Sequence, residues 1–231
     1  MCFGILRSSL GKKYVMAVTG LMLLGFVIAH LAGNLQIFLG ADWLNDYSRH
    51  LEEMPLLLWP ARAVLLAALV LHMATAATLS WENRRARPIP YAVKDTVQAS
   101  LASRTLLFTG TAVFLFILYH LLHFTWGMTN PEFFGLLDLQ GRRDVYSMVI
   151  LSFQNPVISG VYLAALFILS MHLGHGSWSF LQSLGLTSQP VLKKIRIAGS
   201  VLGWLIFIGF ASIPLASLLG TLQPLQRGHL L

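Results

Sequence analysis

The sequence predicts an all-α, polytopic membrane protein, with residues 1–231 forming a single membrane domain built as a bundle of five transmembrane helices. Only 11% of its residues are charged and 56% are hydrophobic, whereas roughly 25% are charged in ordinary globular proteins. Because a membrane-spanning helix needs roughly 20 consecutive apolar residues, each stretch that lacks Lys, Arg, Asp and Glu is long enough to cross a bilayer. These stretches are residues 15–41, 63–81, 105–131, 145–192 and 197–226.

We predict one span from each stretch. In chain order the predicted spans are Tyr14–Leu39, Leu56–Trp81, Thr105–Trp126, Pro156–Leu181 and Ile195–Gly220. The fourth stretch is 48 residues long and has room for two short spans. However, Asn155-Pro156 interrupts it near its start, and Gly185 to Pro190 interrupt it near its end, so we predict a single span there.

The distribution of charge predicts the orientation. With five spans, the N-terminus, the loop from Glu82 to Arg104 and the loop around Lys193 share one side and hold 11 of the 16 Lys and Arg residues. The positive-inside rule places that side, and the N-terminus, in the cytoplasm. The net charge of +7 is therefore explained by topology and does not indicate nucleic acid as a partner. We expect a multi-pass protein of the cytoplasmic (inner) membrane, in contact with lipid.

Several kinds of cofactor chemistry are excluded. Cys2 is the only cysteine, so the chain cannot form an internal disulfide, attach haem covalently or hold an iron-sulfur cluster on cysteines. The sequence contains neither GxGxxG nor a Walker A pattern, which argues against a nucleotide-binding or flavin-binding fold. Any cofactor must use other ligands.

Histidines are the informative polar residues of the spans. An ionisable residue inside a membrane span is costly and indicates a functional site, although a lone histidine is about as often a packing residue hydrogen-bonded to a neighbouring helix. Here histidines occur in four of the five predicted spans. They are His30, His72, His120, His123, His172 and His175.

Four of these histidines fall at two depths. His30 follows Lys13 by 17 residues and His120 follows Arg104 by 16, which places both about 25 Å from the cytoplasmic side at about 1.5 Å per residue. His72 and His172 lie on spans that run the other way, roughly 15 to 18 Å from that side. Two imidazole pairs at two depths fit two non-covalent b-type haems, an outer one on His30 and His120 and an inner one on His72 and His172.

Other residues have supporting roles in this hypothesis. Thr19-Gly20 and Thr109-Gly110 each precede a proposed ligand by ten residues. Gly33 and other small residues on the first two spans would let a flat macrocycle approach the backbone, although close helix packing explains small residues equally well. His123 and His175 each follow a ligand by three residues, so either could replace its neighbour or could hydrogen-bond a haem propionate, as could Arg104.

Longer segments resemble a known family. The stretch KKYVMAVTGLMLLGFVIAHLAGNLQIF (Lys12 to Phe38) resembles the first helix of the dihaem cytochrome b subunit of succinate dehydrogenases and fumarate reductases, the type with a single five-helix anchor polypeptide. ASRTLLFTG…YHLLHFT (Ala102 to Thr125) and MHLGHGSWSF (Met171 to Phe180) resemble its third and fourth helices. The resemblance covers essentially the whole chain.

This resemblance implies a function and partners. The family's ligands carry over to His30, His72, His120 and His172, the same residues that the depths select. It implies a flavoprotein subunit and an iron-sulfur subunit on the cytoplasmic face, and electron transfer between succinate and quinone, with menaquinone expected. The chain would be the quinone-reactive subunit of a respiratory succinate:quinone oxidoreductase, whose complex can form higher oligomers. The dicarboxylate chemistry would take place on other subunits. Some fumarate reductases carry a Glu where this chain has Ser170, so the corresponding proton route has no support.

No catalytic residue is assigned, and the position of the quinone site stays open. Polar residues near the outer ends of the spans are candidates for quinone contact: Asn34, Arg49, His50 and Glu53. A second haem hypothesis makes the chain the cytochrome b anchor of a hydrogenase or formate dehydrogenase. Two further hypotheses dispense with haem: a transporter with a histidine proton relay, and a purely structural anchor.

Overall fold

The computed structural model describes residues 8–86, 105–185 and 188–225. In these ranges every regular element is helical, apart from one isolated bridge between Leu137 and Arg143. The elements are α1 (Ser9–Asn34), a 3₁₀ turn (Leu35–Leu39), α2 (Ala41–Glu52), α3 (Pro55–Arg85), α4 (Leu106–His120), a π-helical turn (Leu121–Thr125), α5 (Pro131–Phe134), α6 (Val145–Phe153), α7 (Pro156–Ser183) and α8 (Gln189–Leu218).

Five helical segments are long and apolar enough to cross a membrane, as predicted. They are Ser9–Leu39, Pro55–Arg85, Leu106–Thr125, Pro156–Ser183 and Val191–Leu218. Large apolar side chains on these segments are exposed, among them Phe108, Val157 and Ile208, which is the surface that a hydrocarbon environment favours. The chain is therefore a multi-pass membrane protein. Its orientation and the membrane in which it lies stay predictions.

The long fourth stretch contains a single span, and the polar residues explain where its helices begin. Asp144 caps α6, because its carboxylate accepts a hydrogen bond from the Ser147 backbone N–H at 3.0 Å. Asn155 in turn accepts from the Val157 N–H at 2.9 Å, and Pro156 begins α7, where a missing N–H has no cost. After α7 the chain turns at Gly185, whose φ is +72°.

The chain divides into two compact units. The described residues of the first unit fall within Met1–Val27, Ala61–Thr111 and Leu169–Trp204, and those of the second within Ile28–Pro60, Ala112–Ile168 and Leu205–Leu231. Each unit contains one of the two predicted histidine pairs. His72 and His172 belong to the first unit, and His30 and His120 belong to the second.

In the first unit, glycines bring two helices into backbone contact. A Cβ atom on Gly203 of α8 would lie 2.6 Å from the Ser170 carbonyl oxygen, and one on Gly199 would lie 2.9 Å from the Gly174 carbonyl oxygen of α7. These distances are too short for any side chain. Small residues on α7 and α8 therefore serve helix packing.

The second unit contains an apolar cluster formed by buried side chains of the 3₁₀ turn, α2, α6, α7 and α8. Its members include Ile37, Leu44, Ile150, Phe153, Tyr162 and Ile213. Helix α2 packs on the 3₁₀ turn and on α6, and α5 also packs on α6. A Cβ atom on Gly33 would lie 2.7 Å from the Tyr47 hydroxyl oxygen. Gly33 therefore accommodates Tyr47, whereas the sequence suggested that it would accommodate a macrocycle.

A buried arginine organises the polar side of the second unit. The side chain of Arg142 is only 5% exposed and forms ion pairs with Asp138 at 2.7 Å and Asp46 at 2.9 Å, as well as with Asp42. The hydrogen bond to Asp42 makes the largest contribution to raising the pKa of Arg142, and the bonds to Asp46 and Asp138 raise it further, although burial alone would lower it. Asn45 is fully buried and donates to Asp138 at 3.1 Å. This network ties α2 to the segment that precedes α6.

Candidate functional site: two histidine pairs

His72 is oriented by groups on a neighbouring helix of the first unit. Its Nδ1 lies 3.1 Å from the Met16 carbonyl oxygen and 3.3 Å from the Thr19 hydroxyl oxygen. A carbonyl oxygen only accepts hydrogen bonds, so Nδ1 of His72 carries the hydrogen. Its Nε2 is then unprotonated and has a lone pair available for a metal ion.

His172 has the same arrangement. Its Nδ1 lies 3.2 Å from the Thr109 hydroxyl oxygen, and that hydroxyl donates its hydrogen to the Leu106 carbonyl oxygen at 3.1 Å. Thr109 is therefore the acceptor and His172 the donor, which again leaves Nε2 unprotonated. Both histidines belong to the first unit.

The two Thr-Gly dipeptides act on these histidines. A Cβ atom on Gly20 would lie 3.1 Å from Cε1 of His72, and one on Gly110 would lie 3.2 Å from Cε1 of His172. The sequence associated each dipeptide with the histidine ten residues later in its own helix. In the structure each dipeptide contacts a histidine on another helix, with the threonine as acceptor and the glycine leaving space for the ring.

In the second unit, His30 and His120 face each other. Their ring centroids are 5.8 Å apart and the ring planes are nearly perpendicular, at 86°. A centroid separation of 5.8 Å brings the imidazoles of the second predicted pair together within one unit.

Asn34 is the quinone candidate that lies beside a histidine of the pairs. Its amide nitrogen is 3.4 Å from each ring nitrogen of His30 and donates to the His30 carbonyl oxygen at 2.7 Å. The other three candidates lie at the end of α2. Arg49 pairs with Asp46 at 3.2 Å and with Glu53 at 3.8 Å, and His50 bonds the Asp46 carbonyl oxygen at 2.8 Å. These three are exposed.

His123 is buried in an aromatic cluster next to His120. It is 2% exposed and its ring stacks on Phe124 with the centroids 4.0 Å apart. Its Nδ1 lies 2.9 Å from the Tyr162 hydroxyl oxygen, and that oxygen lies 3.5 Å from Nδ1 of His120. Tyr162 was not among the residues that the sequence singled out, because a single tyrosine in a span resembles an interfacial aromatic residue.

His175 belongs to a cationic cluster in the first unit. Its ring meets Trp178 edge to face at 4.8 Å, and the Arg196 guanidinium lies 4.6 Å from the centroid of the same indole. Nε of Arg196 is buried and has no hydrogen-bond partner among the described residues. This cluster could receive a carboxylate. Arg104, which was predicted for such a role, lies outside the described residues.

The donor set is therefore made of paired imidazoles. Within residues 8–86, 105–185 and 188–225, no group of three or more His, Cys, Asp and Glu is arranged to hold a bare metal ion. An iron that is already held in a macrocycle can take two such neutral nitrogens as its remaining ligands. No family model, curated protein or solved structure matches this chain.

Proposed function

We propose that this chain is the membrane anchor and electron-transfer subunit of a succinate:quinone oxidoreductase and binds two b-type haems. The observation that carries the proposal is the hydrogen bonding of His72 and His172, each of which donates from Nδ1 and presents an unprotonated Nε2. When bound, such a haem supplies one-electron redox chemistry. Neutral imidazoles would ligate it without adding charge to the membrane interior.

The chain's own residues would hold and orient each group. Thr19, the Met16 carbonyl and Thr109 keep the inner imidazoles in the ligating tautomer, and such contacts to the far nitrogen also raise the basicity of a histidine ligand. His30 and His120 would hold the outer haem. Arg196 and His175 offer a cation and a hydrogen-bond donor to a propionate of the inner haem.

Charge distribution and resemblance support the rest of the proposal. The side with 11 of the 16 Lys and Arg residues would be cytoplasmic, in the cytoplasmic membrane, and would dock an iron-sulfur subunit and a flavoprotein subunit. Quinone, with menaquinone expected, would be the membrane substrate. Among the four candidates for quinone contact, Asn34 is favoured because it touches His30.

A haem count with single-histidine variants tests this proposal. Dithionite-reduced minus oxidised spectra of the purified protein, with a pyridine haemochrome assay, should give two b-type haems per chain. His72→Ala and His172→Ala should remove one and the same spectral component, and His30→Ala and His120→Ala the other. His50→Ala is the matched control and should retain both, since its side chain is exposed on α2.

Other outcomes would overturn the proposal in identifiable ways. If the purified chain contains no haem, the proposal is refuted, and the two haem-free hypotheses, a transporter with a histidine proton relay and a structural anchor, are favoured. One haem per chain, or loss of the same component from His72→Ala and His30→Ala, would refute the two pairs. Copurification with hydrogenase or formate dehydrogenase activity, and without succinate dehydrogenase activity, would keep the haems and change the partner.

A further inference from the structure

The Tyr162 hydroxyl lies between two histidines of the second unit. Its oxygen is 2.9 Å from Nδ1 of His123 and 3.5 Å from Nδ1 of His120. Tyr162 is 4% exposed, and its ring meets Phe153 at 4.9 Å and Phe116 at 5.1 Å, both edge to face. The ring is therefore fixed on both sides, and the hydroxyl can turn only about its own C–O bond.

The hydrogen atoms in this chain of contacts follow from the role of His120. If His120 ligates iron through Nε2, as the proposed function requires, its Nδ1 carries a hydrogen and can only donate. The Tyr162 oxygen then accepts from His120, and its own single hydrogen is directed to Nδ1 of His123. That nitrogen must be an acceptor, so His123 carries its hydrogen on Nε2.

We infer that Tyr162 is a positioning residue for the outer haem: its hydroxyl sets the tautomers of His120 and His123 and thereby the electron-donating strength of His120 toward the iron. The inference rests on the proposed function and deepens it. A hydrogen-bond acceptor on the far nitrogen raises the basicity of a histidine ligand, and a more basic ligand stabilises oxidised iron.

The same inference explains why a histidine occupies position 123 although one of its nitrogens is buried without a partner among the described residues. Nε2 of His123 is buried and has no hydrogen-bond partner among the described residues, although an unsatisfied buried polar atom is unfavourable. An apolar ring would avoid that cost and would still stack on Phe124. A histidine is needed here because its other nitrogen must accept from Tyr162.

The backbone that carries His123 is unusual in the same place. The Trp126 N–H bonds the Leu121 carbonyl oxygen at 2.9 Å, a contact across five residues that widens the helix into a π turn. Such turns are rare and often occur at functional sites. Here the π turn begins immediately after His120 and carries His123 at its centre.

The test is a Tyr162→Phe variant of the intact membrane complex, which keeps the ring and removes the hydroxyl. Redox titration followed by optical and electron paramagnetic resonance spectra should show two haems, with the outer one shifted to higher potential. We expect about a tenfold change in its preference for the oxidised state, or about 59 mV for one electron. The inner haem of the same sample should not shift.

Tyr119→Phe is the matched control. Tyr119 packs on the same residues, with ring centroids 5.7 Å from Tyr162 and 5.6 Å from His123, but its hydroxyl bonds neither histidine in the described structure. His123→Phe is a second variant, which keeps the stacked ring and removes the acceptor for Tyr162. It should shift the outer potential in the same direction and by less, because Tyr162 still accepts from His120.

The possible failures are distinguishable. An unchanged outer potential in Tyr162→Phe and His123→Phe, with two haems bound, would overturn the inference and leave the proposed function intact. An equal shift in Tyr119→Phe would also overturn it. If Tyr162→Phe loses the outer haem and Tyr119→Phe retains it, the positioning role is supported. If the wild-type protein contains no haem, the proposed function itself is refuted.

Discussion

The histidines of the two units are oriented by different kinds of group. In the first unit, His72 and His172 each bond to a threonine whose hydroxyl is held by the backbone of its own helix. A glycine beside each threonine leaves space for the histidine ring. In the second unit, His120 bonds to a tyrosine hydroxyl within a cluster of aromatic side chains. Backbone geometry therefore fixes the first pair, whereas side-chain packing positions His120. The first arrangement should tolerate no added volume, and the second should be adjustable.

The largest expected effect comes from adding volume at the first pair. Gly20→Leu should displace the His72 imidazole, because even a Cβ atom there lies 3.1 Å from Cε1. Under the proposed function the inner haem is lost and the outer haem is retained, which difference spectra measure. Gly25→Leu on the same helix is the control, since nothing lies within 4 Å of its added Cβ atom. Equal haem loss from both variants would show that the fit at Gly20 is not decisive.

The next effect should be confined to the second unit. Arg142→Met leaves Asp138, whose side chain is 2% exposed, as a buried carboxylate without its cation. Removing one partner of a buried ion pair costs about 3–5 kcal/mol. We expect faster hydrogen exchange in α2 and α6, measured by mass spectrometry. Arg49→Met removes only exposed pairs and should cost less than about 1 kcal/mol. Comparable exchange in the two variants would contradict the prediction.

The two threonines should differ in importance. Thr109→Val removes the hydrogen-bond acceptor that the structure gives to Nδ1 of His172, whereas Thr19→Val leaves His72 the Met16 carbonyl oxygen. Loss of such a contact typically costs 10–100-fold in metal affinity. Haem titration of the depleted protein should show that range for Thr109→Val and less for Thr19→Val. Thr111→Val is an exposed control, and the reverse order would refute the assigned tautomers.

The smallest effect concerns pH and the Arg142 network. Hydrogen bonding to Arg142 lowers the pKa of Asp46. Burial alone would raise the pKa of Asp138, but hydrogen bonds from Arg142 hold that pKa below its ordinary value. Carboxylates with lowered pKa stabilise the folded state above their ordinary pKa of about 3.9, and this stability is lost as the pH falls through the lowered values. Limited proteolysis of residues 135–144 should therefore accelerate only below about pH 4. Arg142→Met should abolish most of that dependence, and acceleration at higher pH would contradict it.

The five spans could be predicted because a bilayer imposes a minimum apolar length on each helix. The ends were less predictable. Helix α1 begins at Ser9, before the predicted Tyr14, and α3 continues to Arg85, beyond the predicted Trp81. The added turns contain Lys12 and Glu82, which form an ion pair between the two helices. Helices α5 and α6, with 4 and 9 residues, are too short to show a clear helical period. Helix α2 is a 12-residue amphipathic helix, and its pattern was missed because it lies between two predicted spans.

The histidine pairs could be predicted in part, because depth follows from residue counts along straight helices. Depth does not tell which helices are neighbours, so the contacts of Thr19 with His72 and of Thr109 with His172 could not be predicted. Nor does an apolar segment indicate a π turn, since the segment has the same composition with either hydrogen-bond pattern. His123, which contacts Tyr162, lies within that turn.

The Thr-Gly contacts also bear on how the chain is assembled. His72 is oriented by residues of α1, and His172 by residues of α4. The first contact needs only the segments before Arg85, so it can form before the rest of the chain has been synthesised. The second contact needs only α4 and α7. Each histidine of the first pair is thus oriented by its own two helices. Under the proposed function, only the binding of a haem shared by the two histidines requires all four helices to be present together.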